Sequence, residues 1–414
     1  MGKLAFFSFP LLGHVNPQVG LCKALGEKGV EMIFYTSKVH FHKFNDVNNI
    51  VLKEYPKEFQ EYFDEIGRRK EIHNKMLIML STFYHDADLL MDYTVNEILK
   101  EKPDALVCDQ FSIWGRSASK YFNIPQCKFF SSIMGDSIVS KNNNYLKKAI
   151  FKMIITQGIY LLDIKKSIRN INKKYGNVCV KINEVMTPGD DMCLVMTSRK
   201  FHPGGEQYPR NVKFIGADHV RTLKRPKKKD KILISLGTIS TRGNFFESCI
   251  EATKHLGLQI VITLAGNKEH DVSNLRKYSN VRIYNNLNFE DYRKIMNESA
   301  LFISHGGFNG VTTSLFYETP LLICPSSPEH INNMKLIQKY KCGSGYNKKK
   351  IDIDELREIV DGIFFNKEIE NALKEQSEAL KQSLGYEKTA DIMIDELGLA
   401  QIKNMKGEKK WSNL

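Results

Sequence analysis

The sequence has no paired-cysteine motif, no apolar run of membrane length and no internal repeat. Eight cysteines occur in 414 residues, but no two form a C-x-x-C pair, which excludes a zinc knuckle and a thioredoxin-type site. No stretch approaches the roughly 18 apolar residues that a membrane span needs. The apolar start of the chain is short and is broken at Gly13, His14 and Pro17, so it predicts a buried strand rather than a signal peptide. We therefore expect a cytoplasmic protein with reduced cysteines and no stable membrane insertion.

What the chain does have is a globular composition with an excess of positive charge. Hydrophobic residues make up 42% and charged residues 26%, which is enough for packed cores and excludes wholesale disorder. At roughly 150 residues per domain, the length favours two large domains. The net charge of +13 permits an anionic partner, such as a nucleotide, a nucleic acid or an acidic membrane surface, without choosing among them.

Apolar runs of strand length alternate with helical patterns along the chain, which predicts an α/β protein with parallel sheets covered on both faces. The predicted strands are residues 4–9, 31–36, 105–109, 126–130, 192–197, 232–236, 259–264, 301–304 and 321–324. The basic, apolar-poor segment 219–229 (HVRTLKRPKKK) is expected to be a linker. We therefore predict an N-terminal domain at 1–218, a C-terminal domain at 230–385, and a helix and tail at 386–414 that could pack back on the first domain. A cleft is expected between the domains.

Two polar residues follow predicted strands in the N-terminal half. His14 lies in the loop PLLGHVNP, and Asp109 ends the strand at 105–109. We expect the next helix to begin near Pro17, which would leave His14 on a loop. Ligands bind beyond the carboxyl ends of parallel strands, and a His that donates to a carboxylate is the usual arrangement of a general base. The alternative is that His14 only bonds its loop and that Asp109 caps a helix.

A glycine-rich turn, SHGGFNG, joins a strand to a helix in the C-terminal half. It contains His305, Gly307, Asn309 and Gly310. The free N–H groups of a helix N-terminus bind anions, and the His and Asn side chains add donors. A diphosphate fits this pattern, while an ordinary strand–helix turn is the alternative.

These motifs resemble one family. The elements GHVNP, CLVMTSRKFHP, ISLGT, FISHGGFNG, ETPLLICP and PEHINN are similar to those of family 1 nucleotide-sugar glycosyltransferases, nearest the bacterial macrolide-glycosyltransferase-like branch. The resemblance runs over about residues 4–345. It implies the GT-B fold, in which two Rossmann-like doubly wound parallel-sheet domains face a cleft.

The resemblance also implies a mechanism. His14 would deprotonate a hydroxyl of a small-molecule natural product, assisted by Asp109, and a glucose-like sugar would be transferred with inversion. The donor would be a UDP- or dTDP-sugar, with no other cofactor and no metal. The residues implied to hold the donor diphosphate are Gly237, Thr238, His305, Gly307, Asn309 and Gly310. Those implied to contact its ribose and sugar are Thr313, Glu329 and His330.

Four departures from the family pattern keep a second interpretation open. Thr313 stands where the family usually has a ribose-binding Glu, and Gly310 stands where a Ser usually follows the motif Asn. His330 stands where the family has Gln, and no aromatic–Pro–Gln stretch is present in residues 284–291. The alternative is a non-catalytic partner or activator of another transferase. Asp352 and Asp354 form a D-x-D, which we interpret as a helix cap rather than a metal site.

The acceptor pocket is the least defined part of the prediction. Phe83, Ser112 and Met134 are its candidates, although Met and Phe at helical spacing are more often plain core. The expected partners are the acceptor and the nucleotide sugar, with no nucleic acid, and the chain is expected to be a monomer or a homodimer.

Overall fold

The computed structural model describes residues 1–67, 75–135, 156–216, 223–224, 226, 228–237, 244–267, 272–348 and 350–400. The chain divides into two compact units. The first consists of Met1–Val220 and Ser383–Leu414, and the second of Arg221–Gln382.

The first unit is built on a seven-stranded, all-parallel sheet with the order β3-β2-β1-β4-β5-β6-β7. Its strands are β1 Lys3–Phe7, β2 Glu31–Thr36, β3 Ile50–Glu54, β4 Ala105–Asp109, β5 Gln126–Phe130, β6 Met192–Val195 and β7 Val212–Phe214. Its helices are α1 Leu12–Glu27, α2 Lys57–Gly67, α3 Met76–Glu101, α4 Ile113–Phe122, α5 Tyr160–Tyr175 and, after the return of the chain from the second unit, α12 Gly385–Glu396.

The second unit is built on a six-stranded, all-parallel sheet with the order β10-β9-β8-β11-β12-β13. Its strands are β8 Lys231–Ser235, β9 Gln259–Thr263, β10 Val281–Tyr284, β11 Ser299–Ser304, β12 Leu321–Ile323 and β13 Gly343–Gly345. Its helices are α6 Phe245–Thr253, α7 Phe289–Glu298, α8 Phe308–Phe316, α9 Pro328–Lys339, α10 Ile353–Phe364 and α11 Lys367–Lys381. The predicted fold class is confirmed.

The first sheet carries an apolar layer on each face. Successive side chains of a strand point to opposite faces, so Ala5 and Phe7 of β1 join one buried cluster while Leu4 and Phe6 join the other. Both layers are covered by helices, which is why the strands read as continuous apolar runs. Helix α12 belongs to the second layer, where the Tyr386 hydroxyl donates to the Pro17 carbonyl at 2.8 Å.

The start of α1, the basic segment and the D-x-D element can each be compared with the sequence prediction. Helix α1 begins at Leu12, not near Pro17, and contains Pro17 in its second turn. A proline there removes the hydrogen bond to the carbonyl four residues earlier and crowds that carbonyl, and the helix continues through it. Lys229 is not a free linker residue, since its ammonium donates to Tyr317 O, Glu318 O and Thr319 Oγ1 at 2.7–3.1 Å. Asp352 caps α10 by accepting from two backbone amides, as predicted.

Candidate active site

The sheet order of the first unit brings its two predicted catalytic residues together. Strands β1 and β4 are neighbours, and the chain leaves this pair toward opposite sides of the sheet, which is where open α/β sheets bind ligands. His14 lies in the first turn of α1, directly after β1. Asp109 is the last residue of β4. Although 95 positions separate the two residues in sequence, they therefore lie at the ends of adjacent strands.

His14 and Asp109 are in direct contact. His14 Nδ1 lies 2.9 Å from Asp109 Oδ2, and the aspartate is completely buried, whereas the His14 side chain is 14% exposed. The other carboxyl oxygen of Asp109 accepts from the Phe111 amide at 3.0 Å. Ser131, which follows β5, places its Oγ 3.0 Å from the same His14 nitrogen. Asp109 does not cap α4, whose N-cap is Ser112.

These contacts determine the tautomer of His14. A carboxylate only accepts hydrogen bonds, so Nδ1 must carry the proton that it donates to Asp109. The Nδ1–H group then shares its proton between two acceptors, and the hydrogen bond to Ser131 Oγ is the weaker of the two. The lone pair of the neutral imidazole is left on Nε2, and this nitrogen is the one that can take up a proton.

Aromatic rings surround the His14 imidazole. The ring centroids of Phe9 and Phe111 lie 5.4 and 5.2 Å from it. Phe83, a predicted acceptor residue, stacks on Phe111 at 4.2 Å and meets Phe9 edge-on at 5.1 Å. Phe83 is thus one ring away from the histidine.

The other two predicted acceptor residues lie differently. Ser112 follows Asp109 by three residues and is buried, and its hydroxyl has no hydrogen-bond partner in the described part of the chain. Met134 belongs to a separate apolar cluster on β5–β7, and its amide donates to His202 Nε2 at 3.0 Å. The structure therefore does not bring Met134 together with Phe83.

The second unit repeats this topology at the pair β8–β11. Ser235 and Ser304 end the two strands in register. Each serine hydroxyl accepts from the amide two residues on, Gly237 at 3.2 Å and Gly306 at 3.0 Å. The paired serines therefore hold both loops at the carboxyl ends of the strands.

Glycine is required where these loops meet the His305 ring. Gly237 has a φ of 70°, and a Cβ there would lie 2.5 Å from His305 Cε1. A Cβ on Gly307 would lie 2.7 Å from His305 Nε2. The ring is thus clamped between two glycines. Burial lowers the pKa of His305 to about 4, so the imidazole is neutral at pH 7.

Helix α8 begins at this turn. Gly307 is its N-cap, so the amides of Phe308, Asn309 and Gly310 occupy the first helical positions, where backbone donors have no partner within the helix. Thr313 points inward: it is 4% exposed, and its hydroxyl donates to Asn309 O at 2.7 Å. The hydroxyl proton of Thr313 is therefore used within the helix.

Helix α9 carries the remaining residues that were predicted to contact the nucleotide sugar. Ser327 caps it by accepting from the His330 amide at 3.3 Å. Glu329 is exposed in the first turn. The His330 ring meets the His305 ring edge-on, with centroids 4.5 Å apart. Asn333 is buried and donates to Gly306 O at 2.9 Å, which ties α9 to the glycine turn.

With this geometry in view, the comparisons with known proteins decide the class. Residues 244–389 match the glycosyltransferase family 28 C-terminal domain. An uncharacterized UDP-glucosyltransferase, YojK of Bacillus subtilis, is 22% identical over 95% of this chain and 97% of its own length. The glycotransferase of kitacinnamycin superposes with a TM-score of 0.78 and 16% identity, covering 95% of this chain and 99% of the other. The chain is a glycosyltransferase with the GT-B fold. The predicted resemblance to the macrolide-like branch of family 1 is confirmed.

A third relative shows a bound nucleotide in this fold. Spinosyn rhamnosyltransferase, solved in complex with thymidine diphosphate, has a TM-score of 0.65 and 14% identity, covering 96% of this chain and 100% of the other. Identity at this level establishes the shared fold alone.

Sequence reasoning missed Ser131, and it gave no separate role to Ser235, Ser304 and Asn333, which lie inside the ISLGT, FISHGGFNG and PEHINN elements. A serine after a strand or an asparagine inside a helix carries no signal of its own. Thr238 lies outside the described residues. Within those residues no group of His, Cys, Asp or Glu could hold a metal ion, and no helix is both long and apolar enough to cross a bilayer.

Proposed function

We propose that this glycosyltransferase transfers a sugar, glucose-like in the first instance, from a UDP- or dTDP-sugar to a hydroxyl of a small-molecule natural product. Transfer proceeds by single displacement with inversion at the anomeric carbon. His14 is the general base and Asp109 its partner. The observation that carries the proposal is the 2.9 Å contact between His14 Nδ1 and the buried Asp109 carboxylate.

This contact supports base catalysis for an electrostatic reason. When Nε2 takes the proton of the acceptor hydroxyl, the imidazole becomes an imidazolium beside a carboxylate that has no other cation within ion-pair distance in the described structure. Because Asp109 is shielded from solvent, their attraction is screened less than at a surface. The acceptor oxygen forms its bond to the anomeric carbon as the bond from that carbon to the diphosphate oxygen breaks.

The departing diphosphate gains negative charge, and the second unit offers donors for it. We assign its binding to the amides at the start of α8, including Gly310, to the side chains of His305 and Asn309, and to the loops at Gly237 and Gly307. These groups are pre-oriented by the fold, so little reorganisation is needed as charge develops. Thr238 is retained in this set as a prediction.

Donor-sugar contacts are assigned to α9. Glu329 in its first turn is a carboxylate that can accept hydrogen bonds from sugar hydroxyls, and His330 lies against His305. The relatives named above support a uridine or thymidine donor and a natural-product acceptor only by their own names. Thr313 is the weakest of the assigned donor residues, because its hydroxyl already bonds the helix backbone.

The first experiment is a thermal-shift panel of uridine, thymidine, guanosine and adenosine diphosphates with the wild type and His305→Ala. Nucleotide at about 100 times its Kd should stabilise the protein by about 2.7 kcal/mol. We expect one base to give the shift and the variant to lose it. His255→Ala is the matched control, because His255 pairs with Asp361 at the surface and should leave the shift intact.

The second experiment separates the base from the donor site. His14→Ala should abolish transfer to a panel of hydroxylated acceptors while keeping the nucleotide shift. The anomeric configuration of the product, read by NMR, should be opposite to that of the donor. Retention of configuration, or transfer by His14→Ala at the wild-type rate, would overturn the mechanism.

A further inference from the structure

Helix α3 contains a buried carboxyl group that the proposed mechanism does not use. Asp86 is 0% exposed, and both of its carboxyl oxygens are buried without a hydrogen-bond partner. No other carboxyl in the described part of the chain has both oxygens in this state. Asp109, the buried carboxylate of the base, is the contrast, since it accepts from His14 and from a backbone amide.

An unpaired buried carboxylate is costly, so burial favours the neutral form of Asp86. Burial alone raises its pKa well above the ordinary value. No described Lys, Arg or His lies within ion-pair distance of it. A hydrophobic residue at this position would pack without this cost, so the carboxyl contributes nothing visible to the stability of the fold.

Asp86 lies on α3 about one helical turn after Phe83, whose ring contacts the two phenylalanines beside His14. Met79, Phe83, Asp86, Leu90 and Tyr93 follow one another at spacings of four and three, which puts them on one face of the helix. Asp86 is the only charged member of this apolar stripe.

The neighbours of Asp86 along the stripe contact rings on either side of it. Phe83 contacts Phe9 and Phe111, the two rings that lie against the His14 imidazole. Tyr93 meets Tyr55 at 6.5 Å. The carboxyl therefore lies about one helical turn from the phenylalanines that surround the base.

We infer that Asp86 recognises a cationic amine on the acceptor, so that this glycosyltransferase selects hydroxylated molecules bearing an alkylammonium group. This inference rests on the proposed assignment of the His14 side as the acceptor site. When the ammonium binds, Asp86 releases its proton to solvent, and the resulting carboxylate pairs with the cation, which aromatic faces also attract. A carboxyl one helical turn from aromatic rings matches this ligand better than it matches a neutral hydroxyl.

Binding is tested with two small probes, benzyldimethylamine in its cationic form and benzyl alcohol. The wild type, Asp86→Asn and Asp88→Asn are compared by NMR or calorimetric titration. Asp88 is the control because it lies on the same helix, away from the stripe, and accepts from Asn170. We expect Asp86→Asn to weaken binding of the amine about tenfold or more, and Asp88→Asn to leave it unchanged. Equal amine affinity in wild type and Asp86→Asn, or no preference of the wild type for the amine, would overturn the inference.

Transfer kinetics separate this inference from the proposed function. With a macrolide that carries a dimethylamino sugar and with its aglycone, Asp86→Asn should lower kcat/KM about tenfold or more for the amine alone. If Asp86→Asn lowers both values equally, the amine role is wrong while the transferase function stands. If wild type transfers to neither acceptor, the probe titration still decides the role of Asp86. Asp86→Leu should fold at least as stably as wild type and also lose the preference for the amine, which excludes misfolding as the cause.

Discussion

Replacement of Asp109 by Asn is the sharpest test of the His14 base, because it changes one atom at a fully buried position. The Phe111 amide donates to Oδ1 of Asp109 and would hold the Asn oxygen on the same side. The Asn NH2 group would then face His14 Nδ1, which is 2.9 Å from the present Oδ2. A donor at that place forces Nδ1 to accept, so the imidazole proton moves to Nε2.

The expected loss follows from this change of tautomer. A histidine that carries its proton on Nε2 cannot receive the proton of the acceptor, and the imidazolium also loses its counter-charge. Such a change costs about 10³- to 10⁴-fold in kcat, or about 4–5.5 kcal/mol of transition-state stabilisation. The side chain is nearly isosteric and keeps its bond to the backbone amide, so we expect little loss of stability.

The assay is the initial rate of acceptor-dependent nucleoside diphosphate release, with nucleotide binding followed by thermal shift in the same preparation. Ser131→Ala is the matched variant. It removes the second contact to Nδ1 and leaves the carboxylate, so it should cost about tenfold or less. Asp109→Asn protein that binds nucleotide normally and transfers within a few-fold of wild type would refute the tautomer argument. Equal losses in the two variants would also refute it.

Three further predictions concern the second unit. Gly237→Ala should weaken nucleotide binding about tenfold or more by calorimetry, since its Cβ would collide with the His305 ring; Gly266→Ala, with similar positive φ but open space, should leave binding unchanged. Because the folded-state pKa of His305 lies below the ordinary 6.5, the unfolded chain binds more protons as the pH falls. The free energy of unfolding should therefore drop by about 2 kcal/mol between pH 7 and about pH 5 through His305 alone. In urea titrations, His305→Gln should lose less unfolding free energy over that range. Lys229→Met should destabilise the second unit by about 1–2 kcal/mol in denaturant titrations, because three oxygens at the end of α8 lose their donor; the exposed neighbour Lys228→Met is the control, and equal losses in both would contradict this account.

The parallel sheets could be predicted because both faces of each strand are buried. Strands such as β1 and β4 are continuous apolar runs, and their helical partners follow with a clear period. Four strands gave no such signal. β3 and β10 carry several exposed residues, β7 and β13 are three residues long, and β13 reads as a glycine turn because it is the sequence GSG.

Site residues could be predicted only where a chemically reactive side chain stands at or just after the end of a predicted strand. His14 follows β1 and Asp109 ends β4, and because these strands are neighbours in the first sheet, parallel topology alone brings the two residues to one sheet edge. His305 directly follows β11 in the second sheet. Ser131 and Asn333 depend on which loop folds over which strand end, and single polar residues do not encode this. Asp86 lies in a helical pattern of the sequence, where a lone carboxyl is normally solvated, so the sequence alone gives no reason to assign it a role.

The two units treat buried charge in opposite ways, and the proposed mechanism uses each of them differently. In the first unit the buried carboxylate of Asp109 is paired with an imidazole, which prepares the base for positive charge. In the second unit burial keeps the His305 imidazole neutral, so the diphosphate would be held by hydrogen bonds and by helix amides rather than by a fixed cation. A neutral donor site releases its nucleotide more readily than a cationic one, because less Coulomb attraction must be overcome after transfer. His305→Lys would test this step: it should tighten nucleotide binding and slow product release. If the variant instead bound nucleotide more weakly at every ionic strength, the neutral ring would be needed for its shape alone.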